Sequence, residues 1–304
     1  MSLPNLKFFK LDIKDEVLVI KFDDPEEKVN TLNSKMTEEF HQVMDVVDSN
    51  DGVKSVVFIS GKKDSFIVGA DIKMLKEFTT EEDVVKLSKG GHELFHRIEK
   101  HKKPVVAAIN GPCLGGGMEV ALSCHYRVST DNSKTILGQP EVMLGLLPGG
   151  GGTQRLPKLV GLQKSLDMML TGKNIRPAKA KKMGLVDDVV CPESLESIAV
   201  KAAQDLAAGT LRRKKRRVSG PDKLLEENFA GRALVFNQAK ATVLKKTGGL
   251  YPAPLKIIEA VKAGVNSGPK KGYDTEAKLF AELVMSTEAK SLISLFEGQT
   301  GLKK

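Results

Sequence analysis

Four short runs crowded with β-branched residues, VLVIKF (17–22), SVVFIS (55–60), PVVAAI (104–109) and HYRVST (125–130), constrain this chain more than any other feature. Each is shorter than an ordinary helix, and the β-branched or aromatic residues in it suit a place inside a sheet. Between the first two, KMTEEFHQVMDVVDS spaces Met36, Phe40, Val43, Met44 and Val47 three or four apart, giving a helix with one apolar face. The turn residues Asn50, Asp51 and Gly52 end it. Between the second and third runs, TTEEDVVKLSKGGHELFHRIEKHKK reads as a helix opened by a Thr-Thr-Glu-Glu cap and closed by Pro104. Strand, helix, strand in repetition predicts an α/β class with crossover helices rather than a sandwich.

After about residue 195 the strands stop. ESIAVKAAQDLAAG, KLLEENFAGRALVFNQAKATVLKK, PLKIIEAVKAGVNS and YDTEAKLFAELVMSTEAKSLISLFEG read as four helical segments, the last apolar at Ala277, Phe280, Leu283, Val284, Ala289, Leu292 and Ile293. They predict a helical extension over an α/β body. The chain ends soon after the last of them, which fits a fragment of a longer protein. At 304 residues it is long enough for one large domain, or one domain with an appendage. No apolar run approaches the ~20 residues of a membrane span, and MSLPNLKFFK lacks a signal peptide's apolar centre.

Charge and cysteines narrow the setting. A net charge of +9 calls for an anionic partner such as nucleotide phosphates or lipid head groups. Part of it sits in RRKKRR, Arg212 to Arg217, either a solvated face or a contact to phosphate or membrane. Nucleic acid is not expected, because no recognised binding module accompanies the run. Cys113, Cys124 and Cys191 are widely spaced, with no CxxC, and read as reduced interior thiols of an intracellular protein.

HELFH (92–96) matches the H-E-x-x-H spelling of zinc proteases. Zinc needs a third protein ligand, and the extended motif fails here: Glu99 stands where its glycine belongs, and His101 falls one residue short. A glutamate further downstream could serve as that ligand, and Glu119 is the obvious candidate. Leu94, Phe95 and Ile98 form an apolar stripe, so the expected reading is a partly exposed structural helix with no metal. Mutation of His92 or His96 should then leave activity nearly intact.

Two glycine runs carry more chemistry. NGPCLGGGMEVALSCHYRVS follows PVVAAI and opens a helix at Gly116, whose first turn holds Glu119, as a capping charge or a reactive carboxylate. It is neither a dinucleotide fingerprint nor a phosphate loop, since the spacing differs and no GK[ST] follows. ILGQPEVMLGLLPGGGGTQRLPKLVG places Glu141 after Pro140 and opens another helix near Thr153. Two glutamates beside glycine-exposed backbone form the chain's strongest pair for acid and base work. In SFIVGADIKML a strand end turns at Gly69 into a helix starting near Asp71. The N–H groups of Ala70 and Gly116 are candidates for two donors to one oxygen that gains charge.

FIVGADIKML, the Gly116 run and the Glu141 run resemble the signature segments of the enoyl-CoA hydratase/isomerase, or crotonase, family. The resemblance covers residues 10 to 200 or so and includes LTGKNIRPAKAKKMGLVDDVV (170–190). GLYPAPLKIIEAVKAG and TEAKSLISLFEGQTGLKK resemble the linker region of trifunctional β-oxidation α-subunits of mitochondria. The resemblance implies a crotonase-like spiral of repeated β-β-α units over residues 1–200 and a helical extension and linker over 201–304. It implies hydration of 2-enoyl-CoA to 3-hydroxyacyl-CoA in fatty-acid β-oxidation, with 3,2-enoyl-CoA isomerase activity alongside. Glu119 and Glu141 would be the catalytic carboxylates, Ala70 and Gly116 the oxyanion donors, and Gly149 a support for the water. Val68, Ala70, Asp71, Ile72 and Lys73 would line the CoA, which is part of the substrate, so no separate cofactor is implied. The implied partners are the acyl-CoA and a thiolase-type β-subunit, with a possible membrane-surface contact. The implied setting is the mitochondrial matrix or inner-membrane surface, with a bacterial cytoplasm as the alternative. The competing reading is a non-catalytic or complex-dependent assembly module.

Overall fold

The structure, a computed structural model, describes residues 3–213, 216 and 220–302. Contacts gather into two compact units, each drawn from three stretches of chain. The first comprises Met1–Asp71, Leu94–Leu137 and Ile175–Lys215, and the second Ile72–Glu93, Gly138–Asn174 and Arg216–Lys304.

The first unit holds a six-stranded sheet whose strands lie in chain order: Phe9–Lys14, Val17–Phe22, Ser55–Ser60, Val105–Ile109, Tyr126–Thr130 and Asp188–Val190. Only the first strand is antiparallel to its neighbour. It reaches the second through Asp15 and Glu16, at φ 46° and 64°, left-handed values suited to a two-residue hairpin. The remaining strands are parallel and need crossovers, as their spacing predicts. The strand pleat sorts the core. Val17, Val19, Val57, Ile59, Val106, Ala108 and Val128 pack with Leu195, Ala199 and Ala203 of helix Leu195–Ala207. Phe22 and Phe58, from the alternate positions, join Phe9, Phe40 and Phe66 in an aromatic cluster with centroid spacings from 4.9 to 6.3 Å. Phe40 comes from helix Ser34–Ser49, which buries Met36, Phe40, Val43, Met44 and Val47 as its periodicity predicts.

The second unit is built largely on helices Pro252–Ser267 and Pro269–Met285, which bury Ile257, Ala260, Val261, Ala277, Phe280, Leu283 and Val284. Two expected helices are broken. The segment from Lys223 divides into Pro221–Glu226 and Phe229–Thr247, because Asn228 caps the second by accepting the Gly231 N–H at 2.6 Å. The last segment divides into Pro269–Met285 and Thr287–Gly301, where Ser286 accepts the Ala289 N–H at 3.2 Å. A short polar side chain that can bond nearby backbone competes with continued helix and wins at both places.

Cys113 and Cys124 are interior, and burial pushes the Cys124 thiol up to about 12. Cys191 is exposed, a correction to the expectation of three interior thiols: it directly follows the last, short edge strand. Of the basic run, Lys214, Lys215 and Arg217 lie outside the described residues. Arg213 donates to Asp187 at 2.8 Å and Arg216 to Glu226 at 2.6 and 2.9 Å, each within its own unit, so these two cations serve structural pairs.

Candidate functional site

In the first unit, the segment before Ala70 is tied down on both sides. Val68 N–H donates to the Asn30 carbonyl at 3.0 Å, Leu114 N–H to the Ile67 carbonyl at 3.0 Å, and Leu32 N–H to the Gly69 carbonyl at 2.8 Å. Asp71 N–H returns to the Leu32 carbonyl at 2.8 Å. Because Leu32 takes the groups of residues 69 and 71, strand alternation turns the Ala70 N–H the other way. Asn30, fully buried, locks the arrangement by donating to the Phe22 and Phe66 carbonyls and to Ser60 Oγ.

Helix Gly116–Ser123 starts beside that segment. An added Cβ on Gly116 would lie 3.6 Å from the Ala70 nitrogen, and one on Gly117 would fall 2.2 Å from the Ile67 carbonyl oxygen. At Gly117 only a residue without a side chain allows this approach of two backbones, whereas at Gly116 the tight neighbour is the Leu32 side chain, at 2.9 Å. Gly116 opens the helix, so its N–H has no acceptor within the helix and is available with that of Ala70. Glu119 sits in the same first turn, 4% exposed, where the helix's partial positive end favours a carboxylate.

A buried cation holds the other end of this helix. Arg127, 1% exposed, donates to the Ala121 and Cys124 carbonyls at 3.1 and 2.7 Å and pairs with Asp187 at 2.8 Å. Burial draws its pKa down, and Asp187 opposes that pull. The sequence carried a signal for it: an arginine inside the β-branched run HYRVST has to be paired if the strand is buried.

In the second unit, Glu141 opens a 3-10 turn, Glu141–Leu144, that ends on Gly145 at φ 74°. Tyr251 fastens this turn, accepting the Gly145 N–H at 3.0 Å and donating to the Val142 carbonyl. Glu141 and Gly149 are half-buried. A Cβ on Gly149 would meet the Phe280 ring at 2.8 Å, so the glycine run lies flat against helix Pro269–Met285.

Ala70, Gly116 and Glu119 thus belong to one unit, and Glu141 and Gly149 to the other. The expected CoA-lining residues divide likewise: Val68, Ala70 and Asp71 end one stretch of the first unit, while Ile72 and the exposed Lys73 start helix Ile72–Glu77 of the second. Among the described residues no three His, Cys, Asp or Glu side chains gather as a metal site, and no helix is long and apolar enough to cross a membrane. His92 departs from the expected solvated position: it is 5% exposed, with Nε2 2.7 Å from Glu276 Oε1. Its partner lies 184 residues away, and no local pattern announces it.

Comparison with known proteins adds an independent line. The sequence profile of the enoyl-CoA hydratase/isomerase family matches residues 12–239. Fatty acid oxidation complex subunit alpha from Shewanella loihica is 52% identical over 300 residues, which make up 98% of this chain and 42% of that protein. The same subunit from Shewanella halifaxensis is 50% identical over an equal span. The chain therefore spans less than half the length of these relatives, and they are bacterial, so the mitochondrial setting finds no support in them. Among solved structures, an enoyl-CoA hydratase from Bacillus anthracis aligns with a TM-score of 0.61 at 29% identity, over 78% of this chain and 87% of that one. A human mitochondrial delta3-delta2-enoyl-CoA isomerase aligns with a TM-score of 0.70 at 21% identity, over 98% and 99%, a likeness of fold.

Proposed function

The chain belongs to the enoyl-CoA hydratase/isomerase family, and from that premise we propose that it adds water across the double bond of 2-enoyl-CoA thioesters in fatty-acid β-oxidation. The observation that carries the reading is the meeting of the Ala70 and Gly116 backbones beside a buried, helix-initial Glu119. Two fixed N–H donors aimed at one thioester oxygen stabilise the charge it gains in the transition state, and one such donor is worth ~3 to 4 kcal/mol.

In the proposed mechanism the donors polarise the thioester carbonyl, and the conjugated double bond loses electron density at carbon 3. Glu119 and Glu141 hold a water; its oxygen bonds to carbon 3 while a carboxylate takes its proton. The electron pair of the double bond moves into the thioester as an enolate. Carbon 2 then receives a proton from the carboxylate pair, giving 3-hydroxyacyl-CoA. Glu141 is the principal acid/base, Glu119 orients the water, and Gly149 supports it. The same pair would carry a proton between carbons 2 and 4, which is the isomerase activity. Val68 to Lys73 flank the CoA nucleotide, with Lys73 beside its phosphates or its adenine.

The wider setting belongs to the same proposal. Residues 1–200 hold the hydratase core and 201–304 the helical extension. Relatives named as subunit alpha of a fatty acid oxidation complex, from bacteria, support a partner within such a complex and a bacterial cytoplasm as the setting; a β-subunit of thiolase type is the partner we propose. The test is loss of the conjugated enoyl-thioester absorbance with crotonyl-CoA and longer 2-enoyl-CoA substrates. Turnover on at least one chain length is expected; a folded sample inert on all of them, alone and with the β-subunit, would overturn the reading and leave the assembly module.

A further inference from the structure

The four-glycine run would be the loosest part of any such site, since glycine gives up more conformational freedom on ordering than any other residue. Its terminus is also uncapped locally. Helix Gly152–Val160 has Gly151 at its N-cap position, at φ 98° and with no side chain to bond the free N–H groups. The cap comes from far along the chain. Glu276, on helix Pro269–Met285 and 0% exposed, accepts the Gly151 N–H on Oε1 at 2.6 Å and the Thr153 N–H on Oε2 at 3.1 Å. Thr153 Oγ1 donates to the same Oε2, and His92 Nε2 lies 2.7 Å from Oε1. A carboxylate this buried survives only when its oxygens are bonded, and here both are.

The same cluster grips the preceding peptides. Ser88 Oγ, 3.5 Å from His92 Nε2, donates to the Gly149 carbonyl at 2.5 Å. Arg155 Nη1 donates to the Gly150 carbonyl at 2.9 Å, with its guanidinium over the Tyr273 ring, and Tyr273 meets His92 edge to face at 4.9 Å. Residues 149, 150, 151 and 153 each have a backbone group held from this one interior network. All of its members lie in the second unit.

We infer that Glu276, with His92 and Ser88, is the positioning group of the 149–153 loop, fixing the peptide of Gly149 on which the proposed water depends. The inference rests on the hydratase reading for its catalytic consequence and on the geometry alone for its structural one. It reverses the expectation that His92 is dispensable. Removing the His92 donor leaves Glu276 short of a partner and frees the loop.

The test uses the whole chain as His92→Leu, Ser88→Ala and, as the conservative replacement that keeps an N–H donor, His92→Gln. Hydrogen exchange is read at the Gly151 and Thr153 amides, with strand Val105–Ile109 as the remote control. We expect exchange at the two amides to speed up ~10-fold or more in His92→Leu and Ser88→Ala while the strand keeps its wild-type rates. With 2-enoyl-CoA, kcat should fall ~10-fold with KM within ~2-fold, because a mispositioned group costs rate rather than binding. His92→Gln should recover most of both. Wild-type exchange at Gly151 and Thr153 in folded His92→Leu and Ser88→Ala would overturn the inference, as would a kcat loss that His92→Gln does not recover. A wild-type chain without turnover would count against the hydratase reading instead, and the exchange result would still decide whether the network holds the loop.

Discussion

The hydroxyl of Tyr251 donates to the Val142 carbonyl and, at 3.0 Å, accepts the Gly145 N–H, closing the turn that opens at Glu141. Tyr251→Phe removes both bonds while keeping the ring. Two partly buried backbone groups lose a partner but keep each other at 3.1 Å, so the cost is about 0.5 to 1.5 kcal/mol per bond. We expect a lower melting temperature and a reduced kcat, with the Glu141 turn loosened; wild-type values of both would show that the turn holds itself.

Gly117 tests the contact between the Gly116 helix and the Ile67–Ala70 segment. Alanine in a helix normally gains up to about 1 kcal/mol over glycine. Here its Cβ would sit 2.2 Å from a backbone oxygen, and overpacking of that kind costs about 1 to 3 kcal/mol or more. The clash should win, so Gly117→Ala is expected to be destabilised in urea unfolding. A gain in stability would mean the two backbones are further apart than described.

Glu196 links the first unit's edge to its covering helix, bonding Lys14 at 2.5 Å and Lys21 at 3.0 Å. Burial works to raise its pKa, but the two lysine bonds outweigh it and the folded value is lowered from 4.5. With a depressed folded pKa, the unfolded chain binds the proton more readily. The stability from this group is therefore complete above about pH 4.5 and drains as pH falls through the lowered folded value. Glu196→Gln should flatten that acid limb in chemical denaturation run at successive pH values and leave the slope above it unchanged.

The parts of the fold set by local pattern were legible in the sequence. The interior strands announce themselves because both faces are buried and β-branched, and helix Ser34–Ser49 buries the five residues its spacing names. Strand Phe9–Lys14 lacks that pattern, since most of its residues face solvent at the sheet edge. The helix breaks at Asn228 and Ser286 were hidden because one capping residue inside an amphipathic stretch looks like any other polar position. The candidate site divides in the same way. The placement of Glu119 in a helix's first turn, and of Gly116 at its start, follows from neighbouring residues. The supports within each unit, Arg127 with Asp187 in the first and Tyr251 with Val142 and His92 with Glu276 in the second, join residues 60, 109 and 184 positions apart, and only the folded chain pairs them. HELFH shows both sides: its spelling suggested a metal, its neighbours argued against one, and its first histidine proved to be an interior hydrogen-bonding group.

The central proposal is that Glu119 and Glu141 are the two carboxylates of the hydration. Its most direct measurement is steady-state hydration of crotonyl-CoA by wild type, Glu119→Gln and Glu141→Gln, with CoA-thioester affinity measured alongside. Each variant should lose at least ~100-fold in kcat, the lower range for a positioned acid or base, while binding stays within ~2-fold. Near-wild-type kcat in either folded variant would contradict the account and move the acid and base roles elsewhere.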